Sequence, residues 1–134
     1  MKKTLIAALL TMASINVLAG SVIVHPSNSA TLDDKAIKKI FLGKSKSFPG
    51  GGSAVPMGLD EGSAGTGAFN KGMLGKSASQ LKSYWAKLVF TGRATPPKNV
   101  ANDAEMIALI ATNPNMMGYI EGTGDGSVKV VATY

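Results

Sequence analysis

Ser53-Ala54-Val55-Pro56-Met57-Gly58-Leu59 runs into Asp60-Glu61-Gly62-Ser63-Ala64-Gly65-Thr66, and Ala68-Phe69-Asn70 follows. A short apolar run, a loop of small residues and a helix start, in that order, make a strand–loop–helix unit. The loop is also the best chemical candidate in the chain. Its glycines let backbone N–H groups turn toward one point. The opening of the helix adds uncapped donors and a partial positive charge, and Ser63 and Thr66 add hydroxyls. Gly62, Ser63, Ala64, Gly65 and Thr66 are therefore candidate ligands for an anion such as phosphate, sulfate or a carboxylate. Taken alone, the same loop also reads as an ordinary turn in which Ser63 caps the next helix.

Outward from this unit the pattern repeats. Ser21-Val22-Ile23-Val24-His25 is a β-branched run ended by Pro26, which reads as a buried strand. Thr31-Leu32-Asp33-Asp34 has the spacing of a helix start, and Leu32, Ala36, Ile37, Ile40 and Phe41 then fall on one side. Gly43 ends that helix and Phe48-Pro49-Gly50-Gly51-Gly52 turns the chain. Ser77 with Gln80 forms a capping box for a helix bearing Leu81, Tyr84, Trp85 and Leu88. Asn102 with Glu105 opens another, apolar nearly all round, which predicts deep burial. Met117–Ile120 and Val128–Val131 are the last strand candidates. Strands alternating with helices predict an α/β domain with a largely parallel sheet. Ligands of such sheets meet loops at the carboxyl ends of strands, which adds Ser27 and Asn28, after the first strand, as a second wall.

The first nineteen residues read as a secretory signal peptide: Lys2 and Lys3, an apolar run from Leu5 to Leu18, and a cut after Ala19. Ser21 stands where a lipoprotein would need cysteine nearby, so no lipid anchor is expected, and no later apolar run is long enough to span a bilayer. The expected mature product is one exported domain, residues 20–134, periplasmic or secreted. Its 12 basic and 8 acidic residues give a net charge of +4. That mild excess suits small anions or an acidic partner surface, and it lacks the dense basic block of a nucleic-acid binder. With no cysteine, the domain must stand on core packing alone.

Other motifs carry less. Gly75-Lys76-Ser77 and Gly43-Lys44-Ser45 look like the tail of a nucleotide loop but lack its leading glycine. His25, the one histidine, makes a thin basis for a metal site, so no metal or cofactor is expected. Ser63 lacks the setting of a hydrolase nucleophile, and Asp60 with Glu61 is the only adjacent carboxylate couple, so no enzyme is expected.

Several stretches, in order, resemble the periplasmic phosphate-binding proteins of ABC importers, and more closely their short single-domain relatives. Ile37 to Lys44 (IKKIFLGK) is similar to a helix ending in IFLGK. Phe48-Pro49-Gly50-Gly51, Val55-Pro56 and Glu61 to Phe69 follow. Tyr84 to Gly92 (YWAKLVFTG), Pro96-Pro97-Lys98, Asn113-Pro114 and Met117-Gly118-Tyr119-Ile120 complete the series. The resemblance implies one lobe of a type II periplasmic-binding-protein fold. It implies non-catalytic binding of a small inorganic anion, with a membrane transporter or a second copy as partner. Two departures stand against tight binding. The family's loop is preceded by an arginine that grips phosphate bidentately, whereas the only arginine here is Arg93, in another segment. The large relatives also close two lobes on the ligand, and this chain has the length of one. A periplasmic interaction protein that kept the fold and lost the ligand is the alternative reading.

Overall fold

The computed structural model describes residues 20–134; the leader read over residues 1–19 lies outside the described residues. Among these, five strands form one sheet: β1 (Ser21–Val24), β2 (Val55–Leu59), β3 (Lys98–Val100), β4 (Met116–Ile120) and β5 (Lys129–Thr133), in spatial order β3-β2-β4-β1-β5. Helices α1 (Asp34–Phe41), α2 (Ala64–Phe69), α3 (Ala78–Phe90) and α4 (Asp103–Thr112) join them, and one wide π-type turn, Asn70–Leu74, continues α2. The α/β reading holds, and four of the five strands run the same way.

The exception is β1. It pairs antiparallel with β4 (Ser21 opposite Ile120, Val24 opposite Met117) and with β5, whereas β2 is parallel to β3 and β4. The carboxyl end of β1 therefore lies at the opposite end of the sheet from those of β2, β3 and β4. Val22, Ile23 and Val24 are completely buried in the strand between β4 and β5, so the apolar run is a core strand as its composition predicts, but apolarity carries no direction.

Capping places most helix starts where the spacing predicts. The Ser77 hydroxyl accepts from the Gln80 amide and the Gln80 side chain from the Ser77 amide, and Asn102 accepts from the Glu105 amide. The first helix differs by two residues. Asp33 is its cap, with Oδ1 accepting from the Ala36 amide at 2.8 Å, because a carboxylate at this position competes better than the Thr31 hydroxyl. Gly43 then ends α1 at φ +71°. Helix α4 is less enclosed than its composition suggests: only Met106 and Ile110 are fully buried. Met106 Sδ lies where a Cβ at residue 118 would stand, so Gly118 lets α4 settle against β4. The short edge strand β3 has no apolar pattern and was not anticipated from sequence. No described helix is long and apolar enough to cross a membrane.

Candidate functional site

The loop after β2 turns on a Ser63 N–H to Asp60 C=O bond of 2.9 Å and enters α2 with Ser63 as its cap. The Ser63 hydroxyl accepts from the Thr66 amide at 3.1 Å. The cap predicted as the plainer reading of this residue is thus present.

Thr66 faces inward. Its hydroxyl oxygen lies 2.7 Å from the Asp60 carbonyl, 3.1 Å from that of Leu59, 2.9 Å from Ser63 Oγ and 3.0 Å from the Tyr119 hydroxyl. A hydroxyl has one proton to give and two lone pairs to receive. The proton goes to a backbone carbonyl, and Tyr119 and Ser63 can fill the lone pairs. The Thr66 hydroxyl, expected to face a ligand, here ties the loop to the sheet. Beneath it the rings of Phe69 and Tyr119 stack at 4.0 Å, with Phe41 edge-on to Phe69 at 4.7 Å. Burial raises the Tyr119 phenol above its ordinary range, against the lowering effect of its bonds to Thr66 and the Leu59 carbonyl.

The most consequential contact was not foreseen. Glu121, just past β4, lays its carboxylate over the start of α2, and the Gly65 N–H donates to Glu121 Oε1 at 2.8 Å. A Cβ at Gly65 would stand 2.5 Å from Glu121 Cγ and 3.0 Å from Leu59 Cδ1, so the close approach depends on glycine. Glu121 is itself held from behind, because Asp103 accepts from the Glu121 and Gly122 amides at 2.9 and 3.0 Å. The amides of Gly62 and Ala64 have no backbone partner among the described residues.

Carboxylates gather at this end of the sheet, with Lys82 of α3 the cation in the wall of the adjoining cleft. Asp60 and Glu61 follow β2, Asp103 and Glu105 open α4 after β3, and Glu121 follows β4. Arg93 sits beyond the end of α3, its amide bonded to the Leu88 carbonyl. An open cleft of about 540 Å³ borders the loop, with Gly58, Thr66, Tyr119, Lys82, Trp85 and Asn99 among its walls.

Ser27 and Asn28 do not join this site. They follow β1, whose antiparallel course puts them at the other end of the sheet. There they line a separate open groove with Phe48–Ser53, Pro114 and Asn115. Their groups are used locally: Ser27 Oγ meets His25 Nδ1 at 2.8 Å, and Asn28 Oδ1 accepts from the Ala30 amide at 2.9 Å. Among the described residues, no cluster of three or more His, Cys, Asp or Glu side chains could hold a metal ion. Gly75 lies in the left-handed region at φ +65° after the π-type turn, as a helix end and not as part of a nucleotide loop.

No protein-family model and no curated protein matches the sequence. Solved structures do match the fold. One is a protein from Clostridium perfringens assigned as a phosphate ABC transporter substrate-binding protein, determined with bound phosphate. It aligns at TM-score 0.65 and 22% identity over 84% of this chain and 44% of its own. An ABC-type phosphate transport receptor from Vibrio cholerae aligns at TM-score 0.61 and 18% identity, over 85% and 47%. PstS from Borrelia burgdorferi aligns at TM-score 0.56 and 17% identity, over 76% and 40%. The chain shares their fold and spans less than half the length of each.

Proposed function

We propose that this chain is an exported, non-catalytic binding domain for a small oxyanion of the phosphate class, delivering it to or sensing it beside an ABC-type importer. The observation that supports it best is the start of α2, where the Gly62 and Ala64 amides have no backbone partner among the described residues; the Glu121 carboxylate on the Gly65 amide counts against it. A free anion would take the place of that carboxylate. The amides of Gly62, Ala64 and Gly65 would be its three charge-assisted donors, the Ser63 hydroxyl would join them only by turning its proton away from Thr66 Oγ1, and Thr66 would position the loop. The fold shared with the phosphate-binding structures points to the ligand class.

Affinity follows from what the site lacks. Three charge-assisted bonds contribute about 1.5 kcal/mol each in so open a setting. Their sum corresponds to dissociation near the millimolar range. Asp60, Glu61 and the displaced Glu121 oppose a dianion further. Without a guanidinium and without a second lobe, the expected binder is weak.

Titration of phosphate followed by amide NMR shifts tests this reading. The wild type should shift the amides of residues 62–65 with a millimolar midpoint. Glu121→Gln, which removes the internal charge, should tighten binding roughly five- to tenfold. If neither protein responds at tens of millimolar phosphate, the oxyanion reading fails. A second reading then stands, that of an interaction domain that kept the fold and lost the ligand. The inward Thr66 hydroxyl and the occupied Gly65 amide favour that alternative.

A further inference from the structure

The charges of this domain are segregated along the chain. From residue 62 to residue 102 there are six cations (Lys71, Lys76, Lys82, Lys87, Arg93 and Lys98) and no Asp or Glu. Helix α3 lies wholly within this stretch. Of its thirteen residues only Leu81 is fully buried. Its last turn carries the most exposed large apolar side chain in the described structure, Phe90 at 93% exposure, next to Val89 at 51%. Single exposed apolar residues are ordinary on protein surfaces. A nearly fully exposed phenyl ring on a helix end, with exposed Lys87 and Arg93 each three residues away along the chain, is a narrower case.

Two helix ends meet in this region. The Tyr84 hydroxyl donates to the Leu42 carbonyl at the end of α1, at 2.6 Å. The space a Cβ would take at Gly43 lies against Ala94 and Trp85. The α1 terminus, with exposed Lys44, thus abuts α3 and the segment after it, where Lys87 and Arg93 are also exposed. Lys87 precedes Phe90 by three residues, the spacing of neighbours on one helix face. The tip is firmly formed: Thr91 Oγ1 donates back to the Lys87 carbonyl, Gly92 takes φ +68°, and the Arg93 amide closes on Leu88. The acids of α1, Asp33 and Asp34, stand at its far end.

We propose that this tip is a docking point for an anionic phospholipid surface, with Phe90 and Val89 entering the headgroup boundary and Lys44, Lys87 and Arg93 facing lipid phosphates. The chemistry is that of interfacial association, in which a small apolar insertion and a few cations act together. Area favours a bilayer over a protein. Two exposed apolar side chains at a helix end cannot by themselves supply the roughly 800 Å² per partner of a stable protein interface, but they can enter a soft boundary. The loop at the end of β2 plays no part, so this inference is independent of anion binding.

The test uses residues 20–134, which contain every described strand and helix and their common core. Co-sedimentation with vesicles of equal phosphatidylglycerol and phosphatidylcholine is compared with pure phosphatidylcholine. The expected result is binding to the anionic vesicles that falls at least tenfold between low and physiological salt, with little binding to the neutral ones. Phe90→Ser should weaken it roughly tenfold, and Lys87→Gln and Arg93→Gln about fivefold each. Lys129→Gln, which alters a cation on β5, should leave it within twofold. Phe90 is too exposed for its replacement to disturb folding. Equal binding to both vesicle types, or binding unaffected by Phe90→Ser, overturns the proposal. So does an absence of vesicle binding in a chain that self-associates through Phe90, because the tip would then serve a second copy.

Discussion

Thr66→Val separates a ligand group from a structural one. Valine is close to threonine in shape, so the substitution removes an oxygen and little packing. Thr66 is 8% exposed, and its hydroxyl oxygen has four polar neighbours within 3.1 Å. Without it, the Tyr119 O–H loses a buried partner, the Asp60 carbonyl keeps only the Ser63 N–H, and the Ser63 hydroxyl keeps only the capping bond. Leaving such groups unsatisfied costs about 1–3 kcal/mol. The Leu59 carbonyl can take over the Tyr119 proton, which favours the lower half of that range. For a domain of this size, each kilocalorie lowers the melting temperature by roughly 3–6 °C. For about 1–2 kcal/mol the expected drop is about 3–12 °C by calorimetry or circular dichroism. A Tyr119→Phe partner completes a double-mutant cycle. The two changes remove one shared bond, so their effects should sum to about 1 kcal/mol more than the double variant shows. A Thr66→Val protein that melts within 2 °C of wild type, or a strictly additive cycle, would refute the network. Phosphate binding, measured on the same variant, should change less than threefold where it is detectable, because the hydroxyl is already committed.

Gly65→Ala should dislodge Glu121 while leaving the fold intact. Alanine gains about 1 kcal/mol of helix propensity, which offsets crowding against the flexible end of Leu59. The melting temperature should stay within about 3 °C, while hydrogen exchange at the residue 65 amide accelerates at least tenfold. An unchanged exchange rate would mean that the carboxylate does not shield this amide. Alkaline stability offers another check. Burial raises the Tyr134 phenol well above its ordinary value of 10.0, with Tyr119, Asp103 and Glu121 adding to the shift, and burial also raises Tyr119. A raised pKa means the folded state holds its proton more tightly. The contribution is thus complete below about pH 10 and is lost as pH climbs above it. Urea midpoints should be flat to pH 9.5 and fall beyond, and Tyr134→Phe should blunt that fall. A midpoint that falls equally steeply in Tyr134→Phe contradicts the assignment.

The parts of this architecture legible in the sequence are those governed by local physics. The capping box at Ser77, the Asn102 cap, the glycine stop at residue 43 and the apolar runs of β1 and β4 are decided within a few residues. What escaped reading is decided by pairing. Val22-Ile23-Val24 is the same apolar string whether it runs with or against its neighbours, and its direction alone moves Ser27 and Asn28 from one end of the sheet to the other. Glu121 was invisible for the same reason. Nothing in Ile120-Glu121-Gly122 says that β4 lies beside β2, and only that adjacency carries the Glu121 carboxylate over Gly65. Strand β3, three residues with no apolar pattern, is held by its parallel register with β2 and left no local signal.

The same adjacency shapes how the loop can function. A backbone cradle cannot by itself discriminate an internal carboxylate from an external oxyanion; both present oxygens to the same N–H groups. The outcome depends on effective concentration and charge. Glu121 is tethered a few ångströms away and is held from behind by Asp103, so its local concentration far exceeds millimolar solute. A free dianion offers more charge, but it must approach past Asp60 and Glu61. A guanidinium beside the loop would reverse the balance by favouring the ligand with the higher charge density. With Arg93 at the end of α3 and no other arginine in the chain, the internal carboxylate holds the advantage. On the proposed reading, a phosphate-class ligand would gain the loop only when abundant or when Glu121 is drawn away. Any partner that engages Glu121 or Asp103 would, by linkage, raise the domain's affinity for anions.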